Sequence, residues 1–84
     1  TFYTIMGGKE LHAWSLKGGA SALEAAGQVH TDFAKNFIKA EVVHVDELLK
    51  LGSWKEAREA GKLRLEGKDY PMRNGEVVEF KIGS

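Results

Sequence analysis

The order of β-prone and helical segments predicts an α+β domain: one mixed sheet with helices packed on one face. Two observations carry this. The chain opens and closes in runs that alternate apolar and polar residues. Between them lie stretches whose apolar residues recur at the i, i+3, i+4 spacing of a helix.

The opening "TFYTIMGGKELHAWSL" sets β-prone runs at about residues 2–6 and 10–16 around Gly7-Gly8, and a glycine pair supplies the positive φ angles of a tight hairpin. In "KGGASALEAAG" the period changes, and Ala22, Ala25, Ala26 and Val29 fall on one helical face. Small alanines let such a helix lie close to a sheet, and Gly27 is the natural place for it to break or bend. "FIKAEVVHV" reads as a half-solvated strand, with Ile38, Ala40 and Val42 on one face and Lys39 and Glu41 on the other.

"VDELLKLG" reads as a short helical turn capped by Asp46. "SWKEAREAG" is a helix opened by a Ser53/Glu56 capping box and stopped at Gly61. "KLRLEGKDYPMRNGEVVEFKI" returns to strands, with turns at Gly67 and Asn74-Gly75. Its last strand buries Val78, Phe80 and Ile82 and exposes Glu79 and Lys81. Pro71, lacking a backbone donor, marks an edge or a bulge. Hairpin, helix, strand, short helices and strands together suit the β-grasp, or ubiquitin-like, arrangement.

At 84 residues, with 43% hydrophobic and 29% charged, the composition is that of one globular domain. Lysine plus arginine equals aspartate plus glutamate at 12 each, so attraction to nucleic acid must come from a local patch and not from a bulk field. The absence of cysteine excludes a disulfide framework, a thiol nucleophile and a thiolate zinc site, and suits a reducing, cytoplasmic setting. No apolar run approaches the roughly 20 residues that cross a bilayer, so no membrane partner is expected. The chain begins without Met in strand-like sequence, as a piece of a longer protein would.

The run "GQVHTDFAKNF" sets His30, Thr31 and Asp32 side by side. Zinc sites need three or four ligands, and His12 and His44 lie on separate segments without helical spacing, so no metal is assigned. The three residues read instead as a structural turn: Thr31 or Asp32 caps "DFAK", and His30 sits on a half-buried shoulder with its ring bonded to nearby backbone. No phosphate loop is present, because Gly67-Lys68 runs into Asp69 and Gly8-Lys9 into Glu10. The chain ends "KIGS", not in the free Gly-Gly carboxylate of a sulfur carrier. No catalytic residue and no small-molecule substrate are therefore assigned.

One local patch remains. Residues 55–73 carry six cations against four carboxylates. Lys55, Arg58 and Lys62 can form a stripe beside Arg64, with Lys68 following, which would neutralise a few phosphates of an RNA. The plainer reading is a solvated face laced with ion pairs. Trp14 and Trp54 offer stacking surfaces for bases, yet tryptophan more often serves a core.

Many unlinked positions carry a resemblance: Ala13-Trp14, Lys17-Gly18, Ala25-Ala26-Gly27, His30-Thr31-Asp32-Phe33, Phe37-Ile38, Ala40-Glu41-Val42, Ala60-Gly61-Lys62, Arg64, Glu66-Gly67-Lys68 and Tyr70. The chain closely resembles, over essentially its whole length, the C-terminal TGS domain of the YchF-type Obg-like ATPases. The resemblance implies a β-grasp fold and a single domain over residues 1–84. It also implies that a P-loop ATPase domain and a helical coiled-coil domain precede Thr1. ATP or GTP and magnesium would belong to that missing part, leaving this chain without a cofactor.

Family members associate with ribosomes, and TGS domains are regarded as RNA-binding or regulatory modules. The implied partners are thus the ribosome or RNA and the protein's own ATPase domain. The chain departs from the family at Gly19 and Leu23, where Thr and Pro are frequent, at the Asn74-Gly75-Glu76 turn and at Pro71. The expected function is a non-catalytic binding or regulatory module that contacts RNA or ribosome. The alternative is a protein-interaction β-grasp that docks a partner or its own ATPase domain.

Overall fold

The computed structural model describes residues 1–83. Strands β1 (Phe2–Met6) and β2 (Glu10–Trp14) form the expected antiparallel hairpin. Gly7 and Gly8 turn it at φ of 60° and 71°, values that a side chain would oppose. Helix α1 (Ala22–Val29) starts at a capping box in which Ser21 Oγ accepts from the Glu24 N–H while Glu24 accepts from the Ser21 N–H. It runs through Gly27 without breaking. A Cβ placed there would stand 3.4 Å from Ala34 Cβ of α2 (Thr31–Lys35), at the near edge of ordinary contact.

Strand β3 (Phe37–His44) follows, then α3 (Val45–Leu51), α4 (Trp54–Glu59), β4 (Arg64–Glu66) and β5 (Glu76–Ile82). Ser53 Oγ accepts from the Glu56 N–H at the start of α4, which is one half of the expected capping box, and Gly61 follows the helix end at φ 71°, as the sequence indicates. The sheet order is β2-β1-β5-β3-β4, with β1 and β5 parallel and the other neighbours antiparallel. This mixed five-stranded sheet with its helices is the α+β, β-grasp-like arrangement expected. Pro71 makes an isolated bridge with Ser21 outside the named strands, so no ladder needs its missing N–H.

Residue pairs in register show which side chains share a face. Phe2, Ala40, Val42 and Val78 pack with Ala22 and Ala25 of α1, and with Met72, in one buried cluster. Ile5, Val43 and Val77 point the other way and pack with Leu48 of α3 and with Trp54 and Ala57 of α4. The expectation of helices on one face thus describes α1 and α2, whereas α3 and α4 cover part of the opposite face. The physical reason is visible in the doublets Val42-Val43 and Val77-Val78: a strand that is apolar at both parities must be buried on both sides.

The faces of two strands differ from simple alternation. Ile38 is 58% exposed because the β3–β5 register shifts between Phe37 and Lys39, and this bulge turns Phe37 inward in its place. Phe37 then packs on Phe80 with ring centroids 6.2 Å apart. On β5 Val78 is buried and Phe80 half-buried, but Ile82 at the strand end is 40% exposed.

Histidines cap two of the helices. His30 Nδ1 accepts from the Asp32 N–H at 3.0 Å to open α2, and His44 Nδ1 accepts from the Asp46 N–H at 3.1 Å to open α3. The cap therefore falls one or two residues earlier than Thr31, Asp32 or Asp46. The two aspartates instead occupy the first turns, where their charge suits the positive end of the helix.

Candidate nucleic-acid interface

The five cations singled out from the sequence separate into two kinds. Arg58, on α4, donates to Glu41 Oε1 on the sheet face that α4 covers, at 2.9 Å, with Glu79 Oε1 3.7 Å away. Lys81 of β5 lies 3.1 Å from the same Glu41 oxygen and 2.9 Å from Glu79. Burial pushes the Glu41 carboxyl up, but the hydrogen bonds from Arg58 and Lys81 outweigh it and hold the group below its ordinary value. Glu41 and Glu79 sit opposite each other in the β3–β5 register, and the two cations relieve their repulsion.

Arg64, on β4, donates to Glu76 Oε2 at 2.7 Å and to the Tyr70 hydroxyl at 3.2 Å, with its guanidinium 5.7 Å from the Tyr70 ring centre. Glu76 also accepts from the Tyr70 hydroxyl and from the Arg73 N–H, so each oxygen of this buried carboxylate is bound. Burial, and then Glu76, raise the Tyr70 phenol above its ordinary value. Burial alone would lower Arg64, but its bonds to Glu76 and Tyr70 raise it.

Lys55, Lys62 and Lys68 are exposed and join no ion pair among the described residues. The patch therefore offers three mobile lysine charges, whereas its two arginines are already committed to carboxylates. Hydrated ammonium groups on flexible stems suit sequence-independent contact with phosphate. The partners Glu41 and Glu76 escaped the sequence reading because ion pairs across 12–17 residues leave no local pattern, and Glu79 lies farther still along the chain from Arg58. Lys17 and Arg73 also line a shared cleft that sequence spacing alone does not disclose.

The His30 ring lies tilted against Phe33 with centroids 5.5 Å apart, and Asp32 lies 3.9 Å from its ring nitrogen. His12 pairs with Glu10 on β2, and His44 caps α3. Among the described residues no three His, Asp or Glu side chains converge as a metal-ligand group. Trp14 Nε1 donates to the buried Thr4 hydroxyl at 2.9 Å, while Trp54 is 3% exposed and its Nε1–H has no partner among the described residues. Both rings belong mainly to the packing between sheet and helices.

Comparison with known proteins places these features. The family YchF-GTPase_C, described as "Protein of unknown function (DUF933)", matches residues 1–83. The chain is 47% identical over 82 residues to the "Ribosome-binding ATPase YchF" of Mycoplasma genitalium, covering 98% of this chain and 22% of that protein. It is 46% identical over 82 residues to the protein of the same name from Bacillus subtilis, with the same coverage of both chains. The chain thus spans about a fifth of the length of the curated relatives it matches. The solved Schizosaccharomyces pombe YchF GTPase superposes with a TM-score of 0.84 at 34% identity, over 95% of this chain and 21% of the other. The chain belongs to the YchF-GTPase_C family, as a C-terminal domain of the YchF type.

Proposed function

We propose that residues 1–84 form one non-catalytic domain of a longer ribosome-binding ATPase, and that this domain contacts ribosomal RNA through the basic set Lys55, Arg58, Lys62, Arg64 and Lys68. The names of the relatives support the ribosome as destination. The observation that carries the RNA contact is the exposure of Lys55, Lys62 and Lys68 without carboxylate partners among the described residues. Arg58 and Arg64 contribute by holding α4 and β4 in place through Glu41 and Glu76, with side chains still 52% and 48% exposed. On this reading the nucleotide, ATP or GTP with magnesium, is bound in another part of the protein, and the setting is cytoplasmic.

Co-sedimentation with ribosomes tests the proposal. Lys55→Glu, Lys62→Glu and Lys68→Glu together should abolish the sedimentation of the domain while leaving its melting temperature within a few degrees. Undiminished sedimentation of the triple variant would count against this surface.

A second reading has one observation in its favour. A groove of 320 Å³ between the hairpin and α3–α4 is walled by Ile5, Leu11, Leu48, Leu49 and Trp54, and Leu49 is 70% exposed. Such a surface suits docking against the ATPase part of the same protein, most of whose length lies outside this chain in the relatives. Binding through it would be insensitive to salt.

A further inference from the structure

Strands β1 and β5 separate inside the sheet. Their parallel pairing consists of Tyr3 with Val77 and Thr4 with Val78, yet β1 runs on to Met6 and β5 to Ile82. A cleft of 230 Å³ occupies the resulting fork, walled by Ile5, Met6 and Gly7 on one side and by Glu79 and Phe80 on the other, with Val29 and Phe33 of the helical layer also lining it. Neither Thr1 nor Gly83 lines it. Its surface is open to contact: Met6 is 57% exposed, and Val29, Phe33 and Phe80 are each half-buried, with the Phe33 and Phe80 ring centroids 6.3 Å apart.

The backbone of β5 shows what fits there. Along an antiparallel pair, residues that exchange both hydrogen bonds with the partner alternate with residues that turn both groups away. The Val45 N–H donates to the Gly75 carbonyl at 2.8 Å, and the same β3–β5 register holds from His44 with Glu76 to Lys39 with Lys81. Val77, Glu79 and Lys81 therefore bond to β3, whereas Val78, Phe80 and Ile82 turn their N–H and C=O toward the β1 side. Val78 meets β1 there. Phe80 does not, because the pairing has ended, and no turn or side chain among the described residues takes up its backbone groups.

An open strand edge beside an apolar cleft is completed by an added strand, whose main chain pairs with the edge while alternate side chains enter the pocket. The cleft is smaller than the roughly 300 Å³ from which small-molecule sites begin, a size that suits a side chain. Charge narrows the sequence of the incoming strand. On the other face of the same edge Lys81, its side chain 43% exposed, stands in register with the exposed Lys39. A carboxylate set opposite Lys81 relieves these like charges.

We propose that the fork between β1 and β5 docks an extended segment of a partner protein, added antiparallel to β5 at Phe80–Ile82, in which apolar residues alternate with a carboxylate. The residue opposite Phe80 exchanges both backbone hydrogen bonds with it and places an apolar side chain against Met6, Val29 and Phe33. The acidic residue before it faces Lys81. This site is separate from the lysines of the RNA contact and does not depend on them.

The test is an NMR titration of the isotope-labelled 84-residue chain with the blocked peptide acetyl-Thr-Val-Glu-Val-amide, whose final Val is the one set opposite Phe80. The expected result is shift changes centred on Met6, Val29, Phe33 and Phe80, with hydrogen exchange slowed at the Phe80 amide. Replacing the final Val of the peptide by Pro removes a donor to the edge and should weaken binding at least about fivefold without touching the fold of the protein. Met6→Asp, at an exposed position, should also weaken it by placing a charge at the mouth of the cleft.

Equal binding of the Pro peptide, or shifts without protection of the Phe80 amide, would overturn strand addition. Shifts along β2 instead would assign the peptide to the outer edge of the sheet and overturn the fork. Absence of shifts at millimolar peptide would overturn the site. Shifts at the same residues on raising the protein concentration without peptide would make the occupant a second copy of this chain and overturn the separate partner.

Discussion

Arg64 donates a 2.7 Å hydrogen bond to Glu76, a carboxylate whose side chain is only 3% exposed. The Tyr70 hydroxyl and the Arg73 N–H complete its shell, so one buried acid ties β4 and the loop before β5 to the start of β5. Glu76→Ala strands three donors, and the expected loss is about 2–3 kcal/mol. For a chain of this size that is roughly 8–24 °C in melting temperature, read by thermal denaturation.

The same cluster governs Tyr70. Its phenol should ionise above the ordinary value of 10.0, because burial and Glu76 both favour the neutral form. A raised value means that its contribution to stability is present below that ordinary value and is lost as pH rises through the folded one. Ultraviolet titration of Glu76→Gln should show the Tyr70 transition moved back down; an unmoved transition would show that Glu76 has no hold on it.

Glu41 predicts the acid limb. Its carboxyl is held below the ordinary 4.5 because hydrogen bonds from Arg58 and Lys81 outweigh the effect of burial. Its stabilising contribution is therefore present above that value and is lost as pH falls through the folded one. Urea unfolding across a pH series should show a shallower acid decline in Glu41→Gln than in the wild type.

Gly75 is constrained from two sides. Its φ is 86°, and a Cβ placed there would stand 2.6 Å from His44 Nε2. Gly75→Ala should cost about 1–2 kcal/mol from the backbone alone, with a further steric part. Removing the imidazole in His44→Ala should relieve only that steric part, which a double-mutant cycle measures as a non-zero coupling.

The histidine caps have their own signature. His30→Ala should cost about 1 kcal/mol, and His30→Asn, which keeps a short acceptor, clearly less. Titration calorimetry with zinc should register no stoichiometric binding in either the wild type or the variant. Zinc binding lost in His30→Ala would instead make His30 a ligand.

Much of this structure was legible because its signals are local. The Gly7-Gly8 hairpin, the Ser53 cap and the alternation around Ala40 and Val42 each declare themselves within a few residues. The cover of α3 and α4 on the second face was legible only in the doublets Val42-Val43 and Val77-Val78, which alternation alone reads as noise. The bulge at Ile38 depends on the pairing with β5, and the histidine caps depend on a residue outside the usual Ser, Thr, Asp and Asn set. At the candidate interface the positions of the cations were legible but their engagement was not. Whether Arg58 and Arg64 are free or bound is decided by Glu41 and Glu76, which the chain brings together only on folding.

The most direct test of the proposed function is the affinity of the 84-residue chain for ribosomes measured across a salt series. Phosphate contact predicts a log affinity that falls linearly with log salt, by about 0.7–0.9 for each phosphate neutralised, and a slope reduced in the Lys55, Lys62 and Lys68 variants. Binding that is flat across the series would contradict RNA contact and point to the apolar groove beside Trp54.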